Sequence, residues 1–480
     1  MSIGVATNTA LSGLRFTSLG TKLVAENIAN AEVAGYGPRQ LLASGTISAL
    51  RSGATLSSNV VRDVDPVLLN DTRSADSGRQ DAQTRLSALS KLENAFGIPG
   101  EFGAFNTLLT SFETSLRQAA TTPDSNAALQ AVAQNASRLV SKFNTTGDQI
   151  QATRQQADTA ISNDVQDLNA FLGQVTSLNR DIQRQTLLGG DPFALMDQRE
   201  QVVSEIAKFL PVTEIPREDN RIMLLSARGE ILADSDHAEF TFTKTPGIAA
   251  NDTLTAGAVS AVYLDGRALG PQDQTLQTGT LGANLAVRDT LAPEAQADLD
   301  LLAQDLMDRF AGPTADASLP PGELGLFTLD GASTLPAGPT GLSSQMRLSS
   351  LVDPATGDGL WRLRSGLNAA IPGPMTDPAT LESMITALTS PRELGPGFPR
   401  LSLSDSMAER VSSLAAKRLG AETDLASAQA SFTAKQQTLA ARGVDTDAEM
   451  QDLLRLERAY AANARVLSTV DEMMRNLLEI

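Results

Sequence analysis

The clearest hydrophobic pattern lies in residues 446–480, which contain no Gly or Pro. A helix of that length is roughly 50 Å long. Met450, Leu453, Glu457, Tyr460, Ala464, Leu467, Asp471, Met474 and Leu478 recur at alternating steps of three and four, a 3.5-residue seam broken by two acids. Leu456, Asn463, Val466, Val470, Met473 and Leu477 form a second seam beside it. Two apolar seams on one helix require more than one neighbour, either other helices of a globular core or the chain's own N-terminus together with other subunits. Residues 6–34 also lack Pro and carry Leu11, Leu14, Ser18, Thr21, Ala25 and Ile28 at heptad spacing, with Phe16, Leu19 and Leu23 on an adjoining face. Small residues between these anchors allow close helix approach. The run stops in a turn-forming stretch, where Gly35 or Gly37 can take positive φ and Pro38 prevents further helix.

Between the two ends the pattern changes several times. Residues 39–75 read as an extended connector, with weak strand character at 55–61. Helices are predicted over 76–97 and 105–120, then through a Pro-free tract at 126–188 suited to two to four long antiparallel helices, and over 193–210. At Val212 short alternating runs punctuated by glycines take over, which predicts an inserted antiparallel β domain over 212–283. Helix returns from about Leu285, residues 313–375 are Gly/Pro-rich and irregular or β, and helices resume over 378–388 and 402–441, with Gly443 as a hinge. The expected fold is mainly α with a β insertion: terminal coiled-coil-like helices (1–38 and 443–480), a long-helix bundle (76–211, 284–312 and 376–442) and the outward β domain.

Composition narrows the chemistry. The chain has 480 residues and a net charge of −18, which disfavours nucleic-acid and anionic-membrane partners. It has no cysteine and one histidine, His237, so Cys–His pairs and His-ligated metal clusters cannot be built. His237 and the pairs Asp63/Asp65 and Asp234/Asp236 read as solvated turn residues, since the acids lack a calcium loop's spacing. No phosphate-binding loop motif, 18-residue apolar run or conventional signal peptide occurs. Aromatics make up 4% of residues, which predicts cores filled by Ala, Leu and Val. Glu457 and Asp471 mark either the exposed edge of the terminal helix or partners for Arg or Lys of a neighbouring subunit.

Several motifs carry a family resemblance. Asn27-Ile28-Ala29-Asn30-Ala31-Glu32-Val33-Ala34-Gly35-Tyr36 resembles the N-terminal signature of bacterial flagellar rod, hook and hook-associated proteins. Arg458-Ala459-Tyr460-Ala461-Ala462-Asn463 and Ser468-Thr469-Val470-Asp471-Glu472-Met473 resemble the matching C-terminal signature. Asn94-Ala95-Phe96-Gly97-Ile98-Pro99, the stretch from Phe112 to Leu116 and Leu195-Met196-Asp197-Gln198-Arg199-Glu200-Gln201 resemble the hook-associated branch at the hook–filament junction; the last block is absent from rod and hook proteins.

The resemblance implies a non-catalytic structural subunit without cofactor or metal, self-assembling through its terminal helices into a ring between hook and filament. It implies as partners the hook protein, a second junction protein or flagellin, and an export chaperone at the C-terminal helix. It also implies an extracellular place on the flagellum, reached by the flagellar type III export apparatus without a cleaved signal. The assembly interface is expected at Leu11, Leu14, Leu23, Asn27, Ile28, Asn30, Gly35 and Tyr36 from one end. From the other it takes Leu453, Tyr460, Asn463, Leu467, Val470, Met474 and Leu477. The alternatives are a hook or distal-rod protein, and, in a different class, a hydrolase carried on the outward β insertion.

Overall fold

The computed structural model describes residues 3–33, 35–44, 57–98, 100–101, 103–270, 272–330, 332, 334–336, 338, 340–353, 359–393 and 399–478. It is mainly helical, with small antiparallel sheets between the helices. The elements in order are α1 (Ile3–Ala29), β1 (Arg39–Ser44), β2 (Ser57–Arg62), α2 (Pro66–Phe96), α3 (Phe105–Thr121), α4 (Asn126–Leu187) and α5 (Phe193–Phe209). Strands β3 (Val212–Pro216), β4 (Ile222–Ser226), β5 (Ile231–Ala233), β6 (Phe240–Thr241), β7 (Val262–Leu264) and β8 (Arg267–Leu269) follow. Then come α6 (Thr280–Ala286), a π turn (Val287–Leu291), α7 (Ala292–Arg309), β9 (Phe327–Leu329), α8 (Leu342–Gln345) and β10 (Met346–Leu348). The chain ends with α9 (Arg362–Ser365), α10 (Ala379–Thr389), β11 (Arg392–Glu393), β12 (Arg400–Leu401), α11 (Leu403–Ala441) and α12 (Thr446–Leu478). Two compact units emerge, one of residues 1–79, 168–238 and 428–480, the other of 80–167 and 239–427.

The second unit owes its order to one continuous apolar core. Helix α3 presents Phe105, Leu109, Phe112, Leu116 and Ala119 on a single stripe, all buried. Phe112 meets Phe310 at 5.8 Å and Phe327 at 5.9 Å between ring centroids, and those two meet each other at 5.1 Å. Phe105 packs edge-on against Phe143 at 4.8 Å. The few aromatics are thus concentrated rather than replaced, and an Ala/Leu/Val core understates this unit. Buried arginines close its chain turns. Arg309 donates to Asp305 and to the carbonyls of Ala387, Leu388, Ser390 and Leu401. Asp300 accepts from the amides of Gly341 and Ser343, which anchors part of the Gly/Pro-rich 313–375 stretch.

The first unit gathers both chain ends. Its core uses Leu168, Leu172, Val175 and Ile182 from α4, Val203 and Ile206 from α5, and Ile222, Leu224 and Leu232 from the β3–β4–β5 sheet. Asn179 of α4 pins that sheet, accepting from the Ile222 amide and donating to its carbonyl.

Three sequence expectations are corrected. Residues 126–187 form one unbroken 62-residue helix, not two to four, because Gly147 and Gly173 are accommodated within it. Such a helix is roughly 90 Å long. The expected 39–75 connector contains the antiparallel β1–β2 pair, and α2 begins ten residues early, at Pro66. Asp65 explains that start: its Oδ1 accepts from the amides of Val67 and Leu68, and Pro66 sits where its missing N–H costs nothing. The strand expected over 55–61 is described only from Ser57, and Thr55 and Leu56 lie outside the described residues. The antiparallel strands expected over 212–283 do form, but not as one inserted domain: β3–β4–β5 belongs to the first unit and β6–β7–β8 to the second. Their strands are too short and too often interrupted to join one ladder.

Candidate assembly interface

Helices α1 and α12 pack antiparallel through small residues. On α1 the packed face is Ala10, Gly13, Thr17, Gly20, Val24 and Asn27, stepping by three and four. A Cβ on Gly13 would lie 2.5 Å from Asn463, and one on Gly20 would lie 3.0 Å from the Leu456 methyls. Asn27 in turn bonds Glu449. Steps of seven down α1 (27, 20, 13) therefore meet steps of seven up α12 (449, 456, 463), the relation of an antiparallel coiled coil. The heptad expected on α1, with Leu11 and Leu14, is one residue out of register with this face. Close approach of the backbones selects Gly13 and Gly20, and the larger side chains are turned aside: Leu11 is 40% exposed, Leu14 and Ile28 are half-buried.

The C-terminal end of α1 is held by a closed hydrogen-bond group. Asn27 is 1% exposed and uses all four bonds of its amide. Its Nδ2 donates to the Arg39 carbonyl and to Glu449 Oε1, and its Oδ1 accepts from the Arg39 amide and the Tyr36 hydroxyl. Burial pushes the Tyr36 phenol up, and burial likewise raises the Glu449 carboxyl. Asn30 closes the helix end by donating to the Glu26 carbonyl. Gly35 has φ +81° and lies against Gln201, a backbone that a side chain would strain.

Residues 195–201 supply the other half of this arrangement. Asp197 accepts from the Gly37 amide, from Arg62 Nε at 2.8 Å and from Arg39 Nη2 at 3.4 Å. Glu200 pairs with Arg62 and Arg73, and Arg73 also bonds Glu214 at 2.8 Å. Burial alone would raise the Glu200 carboxyl, but Arg73, Arg62 and Arg199 bring it below its ordinary value. Glu214 goes the other way, raised by burial and by the Glu200 charge. Arg199 donates to Asn179 and to the Asn220 carbonyl. Arg62 and Arg73 carry no spacing signal in the sequence, because their acidic partners lie more than a hundred residues away, and Arg39 divides its bonds between Glu26, 13 positions away, and Asp197.

The expected interface residues thus divide. Asn27 is enclosed, Tyr36 bonds it, Asn30 and Gly35 shape the turn, and Leu23 is 5% exposed. Asn463, Leu453 and Leu467 are half-buried, and Val470 is 8% exposed. Tyr460 and Met474 are about half exposed, and the Leu477 side chain lies outside the described residues. Met450, Leu454, Val466 and Met473, only partly flagged by the two seams, are also 45–50% exposed. Asp471 bonds Arg475 within α12. His237 lies beside Asp236 and packs over Gly173. Among the described residues no group of three or more His, Asp or Glu is placed to hold a metal, and no helix is long and apolar enough to cross a membrane.

Residues 89–315 match the model of the flagellar hook-associated protein FlgK helical domain, and residues 435–480 match the flagellar basal body rod FlgEFG protein C-terminal model. Flagellar hook-associated protein 1 of Salmonella typhimurium is 30% identical over 312 residues, which cover 63% of this chain and 55% of that protein. The protein of that name from Bacillus subtilis is 22% identical over 415 residues, 82% of this chain and 79% of its own length. A solved structure, the flagellar hook junction protein FlgK from Burkholderia pseudomallei, aligns with a TM-score of 0.46 at 21% identity over 54% of this chain and 46% of that one. The chain spans about half the length of the Salmonella relative it matches. The helical-domain match, the separate match at the C-terminus and the Salmonella and Bacillus relatives make the chain similar to the flagellar hook-associated proteins.

Proposed function

We propose that the chain is a structural subunit of the bacterial flagellum, joining hook to filament by self-assembly through α1 and α12 and serving flagellum-dependent motility. The observation that carries this reading is the unfinished burial of α12. One face packs on α1, while Met450, Leu454, Tyr460, Val466, Met473 and Met474 stand 45–50% exposed along the same helix. An isolated chain gains nothing from that pattern, whereas neighbouring copies in a ring bury it. The names of the relatives support the place in the flagellum. The hook protein below, a second junction protein or flagellin above and an export chaperone on α12 are the partners this role calls for, with delivery to the cell exterior by the flagellar export apparatus.

Val466→Asp tests the reading. Val466 is 45% exposed in the single chain, so the monomer folds and melts as before. In an assembly the same carboxylate enters an apolar contact at every interface, and assembly onto isolated hook fragments, followed by electron microscopy, is lost. Leu467→Asp abolishes assembly too, but as a half-buried residue it also loosens α12. Unchanged assembly by the Val466 variant refutes the role of this face.

A further inference from the structure

We infer that α12 is a peroxide-sensitive modification site, whose oxidised methionines block the subunit's incorporation. The inference rests on the assembly reading above. The chain has 11 methionines and no cysteine, so thioethers are its readily oxidised sulfur. They are sharply sorted. Met307, Met346, Met384 and Met407 are at most 1% exposed, all within the second unit's core. Among the described residues the strongly exposed ones are Met375 at 62% and three on α12: Met450 at 50%, Met473 at 50% and Met474 at 48%. The most oxidisable side chains are therefore concentrated on the helix whose apolar sides await neighbours. Nothing in the fold of one chain requires methionine there, and a half-exposed thioether is open to a small oxidant.

The chemistry balances with hydrogen peroxide as the co-reactant. The thioether sulfur attacks one peroxide oxygen, the O–O bond breaks, an S–O bond forms and the displaced oxygen leaves as water. Sulfur loses two electrons and the peroxide gains them. The product sulfoxide is a strong hydrogen-bond acceptor on a formerly apolar side chain. Buried between copies without a donor it opposes association, by about tenfold or more at each interface. Once copies are assembled the same sulfurs are covered. The device therefore acts on free subunits and spares finished structures, and methionine sulfoxide reductase reverses it.

The test compares the wild-type chain, the variant M450L/M473L/M474L and the variant M473Q/M474Q. Dilute hydrogen peroxide is applied to free and to assembled protein, sulfoxide at each methionine is measured by peptide mass spectrometry, and assembly onto hook fragments is scored. Free wild type oxidises at Met375, Met450, Met473 and Met474 and then assembles at least about tenfold less. The leucine variant assembles before and after peroxide, because leucine keeps the volume and removes the sulfur. The glutamine variant, a polar stand-in for sulfoxide, assembles poorly without any oxidant. In assembled protein Met375 still reacts while the three α12 sulfurs are protected. If they are protected but pre-oxidised wild type assembles normally, this inference fails and the assembly reading stands. If peroxide disables the leucine variant equally, another site is responsible and the inference fails. If the α12 sulfurs react equally in free and assembled protein, the assembly reading itself falls.

Discussion

The core of residues 80–167 and 239–427 and the α1–α12 pair solve the same problem with opposite means. The core encloses Phe96, Phe105, Phe112, Phe143, Phe310 and Phe327 at 0–2% exposure, with leucines from several helices filling the gaps between rings. The terminal pair has Gly13 and Gly20 at its contact and buries few large apolar side chains. Glycine gives close approach but little apolar area, so pairing is specific in register and modest in stability. The core is complete within one chain. The pair instead fixes how two helices are presented, and its remaining apolar sides face outward.

That contrast can be broken or sharpened by substitution. The largest effect belongs to Phe112→Ala, which removes a fully buried ring touching two others and costs about 3–5 kcal/mol, read as an earlier thermal transition of the core. A transition shifted as little as a surface change would show that the core tolerates its loss. Glu200→Gln comes next. It leaves Arg62 and Arg73 without their shared carboxylate in a site where Arg73 and Glu200 are 3–4% exposed, at a cost of about 3 kcal/mol in denaturant titration.

Asp164→Asn has the opposite sign. Burial pushes the Asp164 carboxyl up to about 6 from an ordinary 3.8, although Asn284 donates to it. A raised carboxyl favours the fold when protonated, so this group's contribution to stability is greatest below about pH 4 and falls as pH rises towards 6. The asparagine variant loses that slope and is more stable at pH 7, by an amount on the order of 2 kcal/mol, in unfolding curves taken from pH 4 to 7. The smallest effect is Gly20→Val. Its methyls have no room beside Leu456, loosening α1 from α12 by about 1 kcal/mol. Hydrogen exchange then quickens in α1 while the melting of the core is unmoved.

The helical fold was legible because long tracts without Pro leave the chain few alternatives, and the boundaries of α3, α5 and α11 follow from the breakers beside them. Other features were hidden for identifiable reasons. The early start of α2 depended on a cap by Asp65, and Asp65-Pro66 reads equally well as a turn. The packed face of α1 was missed by one position because hydrophobic periodicity rewards Leu11 and Leu14, whereas contact distance rewards Gly13 and Gly20. The terminal signatures were recognisable by resemblance alone, and only in the folded chain do Asn27 and Tyr36 bond each other and Asp197 receive the Gly37 amide. The Arg62–Asp197 and Arg73–Glu200 pairs join residues 135 and 127 positions apart, a relation that no local pattern encodes.

The bond between Asn27 and Glu449 spans 422 positions of sequence. Closing a loop of that length in a structureless chain costs roughly 5 kcal/mol of entropy, more than a few small-residue contacts return. Pairing of α1 with α12 is thus a late event in folding, waiting until the intervening segments have shortened the path. During synthesis the first helix can bond Tyr36 and Arg39 early, but it has no α12 to pair with until nearly the whole chain has emerged. A molecule built this way keeps its two ends apart while the chain between them is unfolded, and joins them last.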